Sequence, residues 1–195
     1  MSVELQQGVS PDDSTQPDCA GFDDSPPRSP CFEDETGVAL HVRPYDDAHF
    51  EALVDFYEGY PERHRSMSLP PLARSQIEDW VGKLVDRGRN LTVFAGDRLV
   101  GHVAYSPREA DEAELVIFVD EQFHNRGIGT ELIRQAIAYA TEDEMDAILL
   151  HVDSRNERAV HVYESIGFEL LDMDDQTLKM RLEITEDVAA AVRTD

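Results

Sequence analysis

Residues 115–132 read LVIFVDEQFHNRGIGTEL, and the rest of the chain is interpreted outward from them. The run Leu115-Val116-Ile117-Phe118-Val119 is apolar and β-branched, as a buried strand requires. A polar turn, residues 120–125, follows it. Then come Arg126-Gly127-Ile128-Gly129-Thr130 and a helical pattern with Leu132, Ile133, Ala136, Ile137 and Ala140 on one face. The element is therefore strand, glycine-bearing turn, helix. A helix start carries unpaired N–H groups and the positive end of the dipole. Glycines there remove the Cβ and let a phosphate approach the backbone. The plainer alternative is that the glycines only serve turn geometry.

Two phosphate-binding fingerprints fail on their own residues. A dinucleotide turn needs a third glycine, where this chain has Leu132. A P-loop needs Gly-Lys-Ser/Thr, and Gly129 is followed directly by Thr130.

The segment resembles motif A of the GNAT family of N-acetyltransferases. That family's turn reads Gln/Arg-x-x-Gly-x-Gly/Ala after a strand ending Val-x-Pro. Here His124-Asn125-Arg126-Gly127-Ile128-Gly129 follows Val119-Asp120-Glu121, with His124 in place of Gln/Arg and Glu121 in place of proline. A second segment, residues 152–168, VDSRNERAVHVYESIGF, is similar to the family's motif B through Asn156, Ala159, Tyr163, Gly167 and Phe168. The two motifs in this order make the resemblance specific, and it extends over residues 38–183.

The resemblance implies an α/β GNAT fold, with a mixed central sheet of six or seven strands flanked by about four helices. It implies acetyl-CoA as acetyl donor and direct transfer to a primary amine in a ternary complex. The motif A strand is expected to bulge and splay from its neighbour, so that Ile117, Phe118 and Val119 pair with the pantetheine arm through their backbone. A freed amide near Phe118 or Val119 would polarise the thioester. The turn His124, Asn125, Arg126, Gly127, Ile128, Gly129 and Thr130 is expected to hold the pyrophosphate. Asn156 is expected to bond the pantetheine, and Tyr163 to protonate the leaving thiolate.

An alkyl ammonium has a pKa of about 10.4, so the acceptor amine must lose a proton before it attacks. Glu114, at the mouth of the buried strand, is the candidate base, with Glu112 on the same face as runner-up. The run Glu112-Ala113-Glu114 also resembles Pat-type protein lysine acetyltransferases, in which the second glutamate is the base. So does the stretch 66–80, with Leu69-Pro70-Pro71-Leu72. The acceptor is thus expected to be a small amine or a protein lysine. The rival reading is a non-catalytic module that binds acetyl-CoA or CoA.

The formal net charge of −24 over 195 residues is extreme, and Lys83 and Lys179 are the only lysines. Acid-rich and lysine-poor, the chain looks like a protein of a salt-loving, haloarchaeal source. At molar salt the Debye length falls to about 3 Å, which screens self-repulsion. No basic patch suggests nucleic acid. No stretch approaches a membrane span, and residue types and spacing point to a cytoplasmic protein. The seven histidines lack metal-ligand spacing, so no metal is expected, and His151 and His161 read as structural.

Three segments are expected: an acidic, Pro/Ser-containing disordered tail over 1–37, the catalytic domain over 38–184, and a frayed tail over 185–195. Cys19 and Cys31 both fall in the first, where they could pair. The loop 60–71, with Arg63, His64 and Arg65, is expected to shape the acceptor pocket. An exposed edge of the last hairpin could pair two chains. Trp80, on the apolar face of the helix 72–87, reads as core.

Overall fold

The computed structural model describes residues 26–64, 69–109 and 111–193. Among them, β1 (Cys31–Glu33), β2 (Ala39–Pro44), α1 (Phe50–Glu58), α2 (Arg74–Arg87), β3 (Arg89–Ala95), β4 (Arg98–Glu109) and β5 (Glu112–Val119) come first. Then follow α3 (Ile128–Glu142), β6 (Ala147–Asp153), α4 (Glu157–Ile166), β7 (Glu169–Asp174), β8 (Thr177–Glu183) and α5 (Glu186–Arg193). The strands form one mixed sheet in the order β1-β2-β3-β4-β5-β6-β8-β7. This is the GNAT fold, with one strand and one helix more than the residues suggested.

Alternation along the strands divides the molecule into two layers. Ala113 and Leu115 of β5, with Ile148, Leu150 and Val152 of β6, join the buried face of α3 in the larger core. The opposite face of β3 and β4 is covered by α1 and α2, through Leu53, Val54, Tyr57, Ile77 and Val81. Trp80 packs there against Tyr57, with ring centroids 4.8 Å apart, as expected of a core residue. Under Tyr57 lies a buried polar chain. Its hydroxyl lies 2.5 Å from His102 Nδ1, and His102 Nε2 lies 3.0 Å from Asn90 Oδ1. Burial pushes the His102 pKa down to about 3, so the ring is neutral. It donates from Nε2 to Asn90 and accepts from Tyr57.

β5 and β6 run parallel, as the strand–helix–strand order predicts, but pair only over Glu112↔Ala147, Ala113↔Ile148 and Glu114↔Leu149. Beyond Glu114 they part. β5 meanwhile keeps an unbroken register with β4 from Ala113 to Val119. The bulge expected in this strand is therefore not the cause of the splay. β6 leaves β5 and pairs with β8 along its whole length instead.

The expected tails are also different. Part of 1–37 is packed: β1 pairs with β2, and Arg28 is 6% exposed. Its guanidinium forms a two-pronged ion pair with Glu131 at 2.6 and 2.7 Å and donates to the Val192 carbonyl at 2.6 Å. Gln135 holds the Ser29 carbonyl at 2.6 Å. Backbone pairing, the Arg28 ion pair and the single side chain of Phe32 anchor the segment, which leaves no hydrophobic periodicity to reveal it. Residues 1–25, with Cys19, lie outside the described residues. At the other end, α5 is a helix with Val192 buried, where fraying was expected.

Candidate active site

The gap between β5 and β6 opens into a cleft of about 400 Å³. One wall is the strand edge. Asp120 N–H donates to the Val100 carbonyl at 2.8 Å, which sets the alternation of hydrogen bonds along β5. In an antiparallel pair every second residue bonds the partner strand. Phe118, opposite His102, therefore spends its amide and carbonyl on β4, whereas those of Ile117 and Val119 face the gap. This corrects the expectation that Phe118 offers its backbone to a ligand. Its side chain instead joins the α1–α2 face, edge-on to Tyr57 and Tyr60 at 5.2 and 5.4 Å. The Val119 carbonyl is met by His124 Nε2 at 2.8 Å.

The floor is the turn. Asn125 and Gly127 both have left-handed backbone, with φ of 59° and 79°. The first intrahelical bond of α3 runs from Glu131 N–H to the Gly127 carbonyl. The amides of Ile128, Gly129 and Thr130 are thus the unpaired donors of a helix start. A Cβ built on Gly129 meets no protein atom within 4 Å, so the space before it is cleft. These features fit an anion at the helix start. Arg126 does not reach into the cleft alone: it stacks on Phe123 with 4.8 Å to the ring centroid, donates to the Gln122 carbonyl and pairs with Asp34 at 3.4 Å. Burial would raise the Asp34 pKa, but hydrogen bonds from Thr36 and Val38 and the Arg126 contact lower it overall. Glu35, next along, lines the cleft, and its amide donates to the Arg126 carbonyl at 3.2 Å.

The far wall is α4. Asn156 caps it, its Oδ1 accepting from Ala159 N–H at 3.3 Å. That cap uses the oxygen and does not consume the amide N–H₂. Tyr163 lies 8% exposed on the same helix, against Phe168. Burial, then the neighbouring Tyr60, pushes the Tyr163 pKa up to about 12. Burial does the same for Tyr60, while Arg158 pulls it down. Both phenols hold their protons at neutral pH.

The cleft thus collects Ile117, Val119, His124, Asn125, Arg126, Gly127, Ile128, Gly129, Thr130, Asn156 and Tyr163. Glu114 does not line it. Its side chain, 40% exposed, sits where β5 and β6 part and accepts from His151 Nδ1 at 2.9 Å. Glu112 is held by Arg181 at 3.1 Å. Sequence reasoning missed Tyr60, Arg158 and Glu35. A tyrosine just past a helix end and a cation in the first turn of α4 carry no pattern, and Glu35 reaches the turn only through the packing of β1. Of the expected acceptor loop, residues 65–68 lie outside the described residues. Among the described residues, no helix is long and apolar enough to cross a membrane.

Residues 49–168 match the model of the Acetyltransferase (GNAT) family, and the chain belongs to that family. A mycothiol acetyltransferase of Nocardiopsis dassonvillei is 26% identical over 160 residues, covering 74% of this chain and 47% of the relative. An uncharacterized N-acetyltransferase of Methanocaldococcus jannaschii is 41% identical over 64 residues, covering 33% of this chain and 28% of the relative. The chain spans about half the length of the first of these. Among solved structures, the GNAT domain of Streptomyces lividans PAT superposes with a TM-score of 0.69 at 20% identity, over 78% of this chain and 95% of that one. The PaiA N-acetyltransferase of Thermoplasma acidophilum, in complex with coenzyme A, gives 0.61 at 17%, over 74% and 98%. At these identities the superpositions speak for the fold.

Proposed function

We propose that this protein is an acetyl-CoA-dependent N-acetyltransferase that acetylates a primary amine by direct transfer in a ternary complex. The observation that carries this reading is a single cleft that combines an unpaired strand edge, an anion-ready helix start and a buried neutral phenol. Ile117 would hold the pantetheine arm through its amide and carbonyl, and the Ile128, Gly129 and Thr130 amides the pyrophosphate. Bound acetyl-CoA would supply the activated acetyl group. The amide of Val119 would meet the thioester oxygen, where preorganised donors count most. Glu114 takes a proton from the incoming ammonium through a water, and Tyr163 gives one to the departing sulfur.

The likeness of Glu112-Ala113-Glu114 and Leu69-Pro70-Pro71-Leu72 to Pat-type domains favours a protein lysine as acceptor. Relatives named mycothiol acetyltransferase support a small-molecule acceptor as the alternative. The composition supports a cytoplasmic, high-salt setting. The β7 edge, with Leu170, Leu171 and Met173 exposed, is where a second copy would pair.

One observation favours the non-catalytic reading: Glu114, the base of the enzyme reading, does not line the cleft. Thiol release from acetyl-CoA in multimolar KCl decides between the two. A lysine peptide set, a polyamine and an N-terminal peptide are run separately. Release with one class supports the enzyme and names its acceptor. A rise in melting temperature with acetyl-CoA, but no release with any amine, supports the binding module.

A further inference from the structure

The parting of β5 and β6 leaves two glutamates of β5 on the face away from α3, and they are treated differently. Glu112 is paired with Arg181, which also holds Glu183 at 2.6 Å. A guanidinium stays charged at every working pH, so this carboxylate is neutralised by a fixed partner. Glu114 meets an imidazole instead, accepting a hydrogen bond from His151 Nδ1 at 2.9 Å. Leu149 is the register partner of Glu114 and the last residue of β6 paired with β5. His151 stands two positions beyond it, on the same face by strand alternation. The Glu114–His151 bond therefore bridges the two strands just where their backbones have separated.

We infer that His151 is the positioning residue of the deprotonation step, holding Glu114, the base of the reading above, at the apex of the gap. The inference rests on the acetyltransferase reading above and deepens it. With Glu114 ionised, Nδ1 carries the proton that makes the bond, and Oε2 is left to the acceptor. The ammonium's N–H bond breaks through a bridging water, and the carboxyl O–H bond forms at Oε2. The amine keeps its electron pair for the acyl carbon, and Glu114 later returns the proton to solvent. The other groups facing the pair are Lys179, in register with His151 on β8, Arg181 in register with Leu149, and Ser106 opposite Glu114 on β4. None of these replaces the Nδ1 bond, because that bond spans from β6 to β5.

The test uses the full chain and His151→Ala, His151→Asn, Glu114→Gln and Glu112→Gln. Asparagine offers a donor near the Nδ1 position. His151→Ala should lower kcat roughly ten- to hundredfold, as small misplacements of a reacting group do. KM for acetyl-CoA should hold and the acid limb of the pH profile should move. His151→Asn should restore most of the rate, and Glu112→Gln should keep it. A normal profile in His151→Ala, or no rescue by asparagine, overturns the inference while a dead Glu114→Gln still upholds the base. Full turnover in Glu114→Gln overturns both. One readout needs no acceptor: the imidazole ¹⁵N shifts of His151 should report the Nδ1–H tautomer in the parent protein and lose it in Glu114→Ala, which removes the accepting oxygen. An Nε2–H tautomer in both overturns the pairing.

Discussion

The two sides of the β5–β6 gap are made of different materials. On the α3–α4 side, the proposed donor contacts fall to backbone: the amides and carbonyl of Ile117 and Val119 that face the gap and the first amides of α3. On the opposite side the proposed chemistry falls to one side chain, Glu114 bonded to His151, while Arg181 neutralises Glu112. Backbone donors survive a change of side chain. That is why His124 can stand where the family has Gln or Arg without dismantling the turn. A side chain held by a partner on another strand does not survive such changes, so under the proposed function specificity for the acceptor would be written on this side.

The largest effect that sharpens this contrast is on rate. Tyr163→Phe removes the proposed proton donor and should lower kcat about 10²- to 10⁴-fold. Affinity for CoA, read by calorimetry, should stay within a factor of roughly two, because the backbone wall is untouched. A parallel loss of affinity would mean that the phenol serves binding.

Next is stability on the backbone side. Arg28→Ala leaves Glu131 and the Val192 carbonyl without their buried partner. Breaking a buried pair costs about 3–5 kcal/mol. The expected result is a drop in denaturation midpoint, with Glu131→Gln in the same background recovering part of it. An unchanged midpoint would detach residues 26–37 from the fold and return them to the status of a tail.

A smaller effect separates turn strain from ligand space. At Gly127, φ of 79° makes any Cβ strained, by roughly 1–2 kcal/mol. Gly127→Ala should weaken CoA binding about tenfold and lower stability together. At Gly129 a Cβ meets only open cleft, so Gly129→Ala should weaken CoA binding and leave stability alone. Equal behaviour at both positions would remove the distinction.

The smallest effect is on pH. The Tyr163 pKa is raised to about 12 by burial, against an ordinary value of 10.0. The folded state therefore keeps its proton longer than the unfolded chain. The stabilisation is fully present below pH 10 and fades as pH rises through about 12. The stability difference between the parent protein and Tyr163→Phe should be flat up to pH 10 and change only above it. Phenolate absorbance in the folded protein checks the same point directly.

Local chemistry made most of the donor side legible in the sequence. Strand, glycines and amphipathic helix are consecutive, so residues 115–140 predict the turn and its phosphate affinity without knowledge of the rest. Asn156 and Tyr163 share one short helix, and the structure brings them to the same cleft. The acceptor side was less legible. Glu114 and Glu112 are equivalent by period, and only Arg181 and His151, brought in by β8 and β6, tell them apart. His151 was read as structural because its partner lies 37 residues away.

By itself, then, the sequence determined the elements from β2 to β8, their order and the glycine turn, because each depends on neighbours within a few residues. The tertiary structure alone decided where β6 leaves β5, which strand residues keep unpaired backbone, that residues 26–37 are packed onto α3, and which glutamate remains available. Those outcomes depend on pairing between distant segments. A register choice or a buried ion pair is made only when both partners are in place.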